Sequence, residues 1–374
     1  MKYNTYKNTQ QKISKLGLGC MRLPRLSAEG EAIDWEQAQR VVDLAYESGI
    51  NYFDTAFGYH DGESERFIGA ALKKYPRESF NLASKMPIWK LRDGAKPEDI
   101  FAQQLEKCQV EYFDFYLMHA VGDNDEELIK SIDLPGFMRS LKAQGRAKRI
   151  GFSFHGSPAL LRRMCENYDC WEFVQLQLNY YDWYDNTAKE EYDILCEFGI
   201  PCIVMEPVRG GSLHTLNSDA KALLDEYAPD KSAASFAIRF AAELPDVLTV
   251  LSGMSNLEQV KDNISTINGD IDLSAEEHEL LKKVALEFRR NFTVPCTACK
   301  YCISECPNGV DIPAVFAAYN KYSMSRDLDD FTDAYAKIPS DSNASACIAC
   351  GACQSVCPQS IEIPKKLKKA LELL

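Results

Sequence analysis

The sequence predicts an α/β protein: a (β/α)8 TIM barrel followed by a small, mainly helical domain. Three observations carry the prediction. Short β-rich runs alternate with helical patterns eight times over the first part of the chain, and about 270 residues is the size such a barrel requires. No G-x-G-x-x-G follows the first strand, so the signature of a Rossmann sheet is missing. Beyond residue 290 the alternation stops and two cysteine-rich runs begin, which places the expected domains at 1–290 and 291–374.

The first strand lies in "SKLGLGCM". The helix "DWEQAQRVVDLAYESG" follows, with Val41, Leu44, Ala45 and Ser48 recurring at a period near 3.6 and Gly49 closing the end. "NYFDTA" and "ESERFIGAALKKY" form the second unit; "FNLASKM" and a helix near Asp99–Val110 form the third. "YFDFYLMHA" precedes a helix ending at "LKAQGR", and "AKRIGFSF" precedes "SPALLRRMCEN". "FVQLQLNY" pairs with "TAKEEYDILCEFG", "PCIVMEPV" with the helical stretch up to "AIRFAAEL", and "VLTVLSGM" with "NLEQVKDNISTI". An extra helix, "SAEEHELLKKVALEF", opens on Ser274 with Glu277 three residues on, a capping-box pattern.

At 374 residues and 46% apolar content, the chain can bury one large core and a smaller one. A net charge of −13 argues against nucleic acid and anionic membrane as partners. The N-terminus "MKYNTYKNTQQ" is polar and no apolar run is long enough to span a bilayer, so a cytoplasmic location is expected. In that compartment fourteen cysteines point to metal ligation before disulfides. Cys20, Cys108, Cys165, Cys170, Cys196 and Cys202 are scattered among apolar positions and are expected to be buried as small hydrophobes.

The other eight cysteines fall in "CTACKYCISECP", from Cys296, and "CIACGACQSVCP", from Cys347. Each is C-x-x-C-x-x-C-x-x-x-C-P, the run that holds [4Fe–4S] clusters in bacterial ferredoxins. Zinc is the only serious rival metal, and two complete runs with trailing prolines outweigh it. Where two clusters are held, the fourth cysteine of each run serves the other cluster. Cys296, Cys299, Cys302 and Cys357 are therefore expected at one cluster, and Cys347, Cys350, Cys353 and Cys306 at the other. The intervening segment carries the helical patterns "IPAVFAAYNKY" and "DLDDFTDAYAKI" and resembles helical dicluster domains of ferredoxin-like type. The tail from Cys296 onward, with eight Lys/Arg and nine Asp/Glu, is nearly neutral. Its end, "PKKLKKALELL", reads as an amphipathic closing helix with a solvated basic face.

Sites in such barrels lie at the C-terminal ends of the strands. The second strand ends in Asp54, with Tyr59 five residues later; the third ends in Lys85 and the fourth in His119. Singly, each has an ordinary structural reading as a turn cap, a snorkelling lysine or a core histidine. Four on consecutive strand ends are harder to dismiss. A Lys85–Asp54 pair is expected to lower the Tyr59 pKa from about 10 toward working pH. Such a tyrosine can give a proton to a carbonyl oxygen while hydride arrives at carbon.

Through "GLGCMRL", "NYFDTAFGYHDGESE", "SKMP", "DFYLMHA", "GFSFHG" and "VQLQLNYYD", roughly residues 1–290 resemble the aldo-keto reductase family. The resemblance implies that Asp54, Tyr59, Lys85 and His119 are a catalytic tetrad with Tyr59 as general acid. It implies NADPH or NADH as cofactor and a small carbonyl or alcohol as substrate. Ser153 and Gln175 match residues that hold the nicotinamide carboxamide. "PVRGGSL" matches the pyrophosphate strap, with Gly210, Gly211 and Ser212 offering backbone N–H groups. Arg209 is either a replacement charge for phosphate or a solvated loop residue. Ser255, Gln259 and Asn263 match the segment around the adenosine phosphate. Phe154 replaces a carboxamide-binding asparagine, Met205 a stacking aromatic ring, and Gln259 and Gly253 an arginine and a lysine that grip the 2′-phosphate. The choice between NADP and NAD thus stays open. Trp89, Trp183 and Tyr184 are candidate walls of the substrate site.

Hydride moves as an electron pair, whereas clusters move electrons singly. Three readings remain. The first is an NAD(P)-dependent carbonyl reductase whose clusters are structural, sensing or a secondary route. In the second, clusters pass electrons from a ferredoxin-like partner to a flavin or directly to substrate. The third is a non-enzymatic nucleotide-binding redox sensor, against which a complete tetrad counts. An electron-relay role is favoured, because paired clusters are the arrangement used where electrons travel through a protein.

Overall fold

The eight β-rich runs pair side by side and in parallel until the last meets the first. The computed structural model describes residues 1–7, 9–27, 30–291, 294–325 and 327–374. The barrel strands are β3 (Leu16–Gly19), β4 (Tyr52–Asp54), β5 (Asn81–Pro87), β6 (Phe113–Val121), β7 (Ala147–Phe154), β8 (Phe173–Gln177), β9 (Cys202–Met205) and β10 (Val247–Ser252). They follow one another in chain order, and β10 closes on β3. Helices wrap the outside, so the strands are buried on both faces and read as near-continuous apolar runs. All seven residues of β5 are buried, Lys85 among them. β7 and β8 approach so closely at Gly151 that a Cβ there would stand 2.2 Å from the Phe173 carbonyl oxygen.

An antiparallel hairpin, β1 (Tyr3–Thr5) and β2 (Lys12–Ser14), precedes the barrel. Tyr6 and Ile13 of this hairpin pack with Tyr52, Phe115, Phe173 and Ile203, residues near the starts of their strands. Phe115 lies at the centre of this group, with its ring 4.9 Å from Tyr52, 5.0 Å from Phe173 and 6.2 Å from Tyr6. The hairpin thereby covers the N-terminal end of the barrel.

The helix Trp35–Glu47 is capped by Asp34, whose carboxylate accepts from the Gln37 amide, and Gly49 takes the left-handed conformation beyond its end (φ 92°). The expected helices follow the other strands: Ser64–Leu72, Pro97–Cys108, Leu134–Ala143, Pro158–Asn167, Ala188–Phe198, Ala233–Ala242 and Leu257–Asn268. Three short ones, Ile88–Arg92, Glu126–Ser131 and Tyr180–Asp185, occupy strand-to-helix loops and are too short for periodicity to reveal.

The chain divides into two compact units, residues 1–207 with 234–274, and residues 208–233 with 275–374. The second thus includes more than the segment 291–374. The helices Ser218–Tyr227 and Ala275–Asn291 pack within it, and Asn217 caps the first of them while its amide donates to the Glu287 carbonyl at 3.3 Å. Its core gathers Val294, Val310, Ile312, Val315, Phe316, Phe331 and Leu367 with Cys302 and Cys353. Buried Asn320 clamps Val294 both ways, donating to its carbonyl at 2.8 Å and accepting from its N–H at 2.9 Å. The two helical patterns between the cysteine runs form Ile312–Ser325 and Leu328–Tyr335. The closing helix Ile363–Leu371 buries Ile363, Leu367 and Ala370 and exposes Lys365, Lys368 and Lys369, as its pattern required.

Of the six cysteines outside the runs, Cys20, Cys108, Cys165 and Cys202 are buried, whereas Cys170 and Cys196 are only half-buried. Among the described residues no helix is long and apolar enough to cross a membrane.

Candidate functional site

Parallel pairing of β4 with β5 brings Asp54 beside Lys85. The Lys85 ammonium donates to Asp54 Oδ1 at 2.5 Å and to the Thr55 carbonyl at 2.8 Å, and reaches the Tyr59 hydroxyl at 3.3 Å. Its three donors are thus all engaged. Removing one partner of such a buried ion pair costs about 3–5 kcal/mol, because a charge is left without its counterion. Tyr59 opens a tight turn, Tyr59–Gly62, in which His60 and Asp61 adopt left-handed backbone (φ 52° and 54°). The His119 ring lies edge-on to Tyr59 at 5.9 Å, and Trp89 packs against His119 at 5.0 Å. The tetrad therefore converges, with Trp89 as a wall. The Trp183 and Tyr184 rings pack on Phe240, at 5.6 and 6.0 Å.

Two supports escaped the sequence reading. Buried His60 accepts from the Leu23 N–H at Nε2 (3.2 Å), and its Nδ1 lies 2.9 Å from the Glu31 carbonyl, which pins the turn carrying Tyr59. Behind Lys85, buried Glu65 accepts from Ser84 and Gln104, each at 2.6 Å, and Gln104 also donates to the Lys85 carbonyl at 2.9 Å. The available signal was Glu65 itself, a charged residue among the buried positions of the helix Ser64–Leu72.

Electrostatics overturn one expectation. Burial, followed by the Asp54 and Glu206 carboxylates, drives the Tyr59 pKa well above 10 rather than toward neutrality. The Arg22 cation pulls the other way but does not offset burial. Burial and the Lys85 cation push His119 well below its ordinary value, so its imidazole is neutral. Tyr59 protonated and His119 neutral are thus both fixed across the neutral range. Carbonyl reduction is accordingly expected to be flat from about pH 6 to about pH 9 and to fall only as more alkaline pH removes the Tyr59 proton. A kcat/KM profile that falls through an apparent pKa near 7 would identify a different working acid.

Next to the tetrad, Ser153 on β7 and Gln175 on β8 are register partners. The Ser153 oxygen accepts from the Ala120 N–H at 2.8 Å, which leaves its hydroxyl proton to donate. Gln175 Oε1 is buried without a hydrogen-bond partner, while the Gln175 side chain also bonds toward Asp54 and lowers its pKa. An unmatched acceptor beside a donor hydroxyl fits a carboxamide, which offers an NH2 and a carbonyl oxygen.

The other expected nucleotide contacts are engaged within the protein. The Ser255 N–H donates to Gln259 Oε1 and its hydroxyl to the Arg22 carbonyl, both at 2.7 Å, and Asn263 donates to Ser252 at 2.8 Å. In the strap, Arg209–Gly211 forms a 3-10 turn whose Gly211 and Ser212 amides bond to the Val208 and Arg209 carbonyls at 3.0 and 3.1 Å. Those two N–H groups do not project outward as the resemblance implies. Arg209 is not solvated either: it is buried, and its guanidinium donates to Gln359 Oε1 at 2.8 Å and the Pro295 carbonyl at 3.4 Å, all within the second unit.

Two cavities lie in the second unit. One is lined by Cys296, Cys299, Cys302 and Cys357; the other by Cys306, Cys347, Cys350 and Cys353. The runs cross, each sending its fourth cysteine to the other's cavity. Their backbones repeat: Ala298 and Lys300 match Ala349 and Gly351 in left-handed conformation, and Gly309 after the first run matches Ser360 after the second. These turns aim amides at sulfur. The N–H groups of Ala298, Ala349 and Val310 point to Cys296, Cys347 and Cys306 Sγ, each at 3.4 Å. Four thiols around mainly apolar walls, with N–H donors to sulfur, fit a [4Fe–4S] cluster.

The sequence profile of the aldo/keto reductase family matches residues 15–286. The chain belongs to that family. A 4Fe-4S dicluster domain profile matches residues 295–362 of this aldo/keto reductase. Among its relatives, the NADH-specific methylglyoxal reductase of Escherichia coli is 25% identical over 74% of this chain and 96% of that protein. A probable aldo-keto reductase of Glycine max is 28% identical over 53% of this chain, which spans 57% of that protein's length. The aldo-keto reductase of Klebsiella pneumoniae in complex with NADPH superposes with a TM-score of 0.61 at 21% identity, covering 76% of this chain and 96% of that one, which shows the shared fold.

Proposed function

We propose that this aldo/keto reductase reduces a small carbonyl compound, or oxidises the corresponding alcohol, with NADPH or NADH. Tyr59 acts as general acid, and the eight cysteines of the second unit hold two [4Fe–4S] clusters that relay electrons. The observation that carries the carbonyl reading is the chain of contacts from Asp54 through Lys85 to Tyr59, set beside the unmatched Gln175 acceptor. In reduction, hydride joins the carbonyl carbon and the Tyr59 proton joins its oxygen, giving the alcohol. Asp54 and Lys85 hold the phenol in place, and neutral His119 hydrogen-bonds the carbonyl oxygen and orients it. Ser153 donates to the carboxamide oxygen, and Gln175 accepts from its NH2. When bound, the nicotinamide supplies the hydride and the clusters supply or accept single electrons.

The relative from Escherichia coli is named for NADH and the Klebsiella structure for NADPH. Gly253 and Gln259 provide no cation for a 2′-phosphate in this chain, which favours NADH. Flavin has no observation in its favour. A reducing compartment such as the cytoplasm suits the exposed cluster thiol Cys350.

Nucleotide titration followed by tryptophan fluorescence tests the reading. Gln175→Leu is expected to weaken binding of the preferred nucleotide about tenfold, the loss of one to two hydrogen bonds. No binding of either nucleotide by the wild type at millimolar concentration would remove the proposal.

A further inference from the structure

We propose that Arg209 makes the two cluster sites unequal, giving the site of Cys296, Cys299, Cys302 and Cys357 the higher reduction potential. The inference rests on the reading that both cysteine sets hold [4Fe–4S] clusters. Arg209 is the bulkiest fully buried side chain described, and its guanidinium bonds to the two segments that carry this site's ligands. Pro295 immediately precedes Cys296. Gln359 follows Cys357 by two residues and lines the cavity. The arginine also holds left-handed backbone (φ 50°), a conformation that a glycine would adopt without strain.

A second asymmetry points the same way. Lys300 and Gly351 are equivalent positions of the two runs, both left-handed, and each lines its own cavity. The repeat thus places a lysine at the Arg209 side and a glycine at the other. Around Cys306, Cys347, Cys350 and Cys353 the remaining lining residues described are Pro307, Asn308, Val310, Ile312, Ile348, Gly351, Pro364 and Leu367, with no charge among them. Reduction adds one negative charge to a cluster. A buried cation bonded to the segments that carry the ligands stabilises that form, and charge and hydrogen bonding near the sulfurs are recognised determinants of cluster potential. An electron shared between the two sites therefore rests on the Arg209 side.

The test is a dithionite titration of anaerobically prepared full-length protein, followed by electron paramagnetic resonance, with iron and sulfide counted in every sample. The wild type is expected to show two separate one-electron midpoints. Arg209→Gln, which keeps hydrogen-bonding capacity but removes the charge, is expected to lower the higher midpoint and leave the other in place. The expected shift is about tenfold in the one-electron equilibrium, or about 59 mV. Arg209→Lys should recover most of it, and Lys300→Gly should lower the same midpoint independently, which keeps the idea testable if Arg209→Gln does not fold. Fully loaded Arg209→Gln or Lys300→Gly protein with both midpoints unmoved, or both moved equally, would overturn the assignment. Wild-type protein without iron and sulfide would instead overturn the cluster reading beneath it.

Discussion

Tyr59→Phe is expected to lower kcat for carbonyl reduction by about three orders of magnitude while leaving nucleotide affinity nearly unchanged. The change removes one oxygen. Lys85 keeps its bonds to Asp54 and the Thr55 carbonyl, so the buried ion pair and the local fold survive. The lost hydroxyl acts mainly in the transition state, where negative charge develops on the carbonyl oxygen, so its loss falls on kcat rather than on binding. Stopped-flow reduction with a fixed aldehyde series, alongside fluorescence titration of the nucleotide, separates the two effects. Turnover within a few-fold of wild type on a true substrate would mean that the tetrad is a relic. The high pKa of Tyr59 sharpens this expectation, because phenol rather than phenolate is the resting form.

The barrel was legible because its signals are local. Each strand is a short apolar run, each helix a periodic one, and the tetrad sits where consecutive strands end. The crossed cysteine sets were legible because spacing and chemistry leave few alternatives, and the two cavities divide the thiols as the spacing implied. What escaped depends on distant packing. Tyr59 is fully enclosed and faces the Asp54 and Glu206 carboxylates, so the phenol pKa goes up instead of down. The strap sequence "PVRGGSL" looks the same whether its amides face a pyrophosphate or close a turn on themselves, and here Gly211 and Ser212 close the turn. Arg209 finds its partners 86 and 150 residues later, at separations that no local pattern encodes. The hairpin that covers the barrel was hidden by its polar composition: Tyr6 and Ile13 do the packing, and neither stands in an apolar run.

Cys350→Ala is expected to abolish turnover driven by a low-potential one-electron donor such as a reduced viologen, while NAD(P)H-driven carbonyl reduction stays within about two-fold of wild type. Wild-type protein, prepared anaerobically, should hold about eight irons and eight sulfides, four of each per complete cysteine set. Cys350 is the informative position because it is exposed, whereas Cys302 and Cys353 belong to the core of the second unit, where substitution also removes packing. Reduction of one carbonyl consumes two single electrons and two protons, so the relay reading requires both cluster sites intact whenever the donor supplies electrons singly. Hydride from a nicotinamide arrives as a pair and needs neither site, only the tetrad of the first unit. The two donors therefore respond differently to the same substitution, and circular dichroism verifies that the variant remains folded. Equal activity of wild type and Cys350→Ala with both donors would leave the clusters a structural or sensing role. Loss of both activities in folded protein would show that nicotinamide turnover itself depends on the cluster sites, which a purely hydride-transferring barrel does not allow.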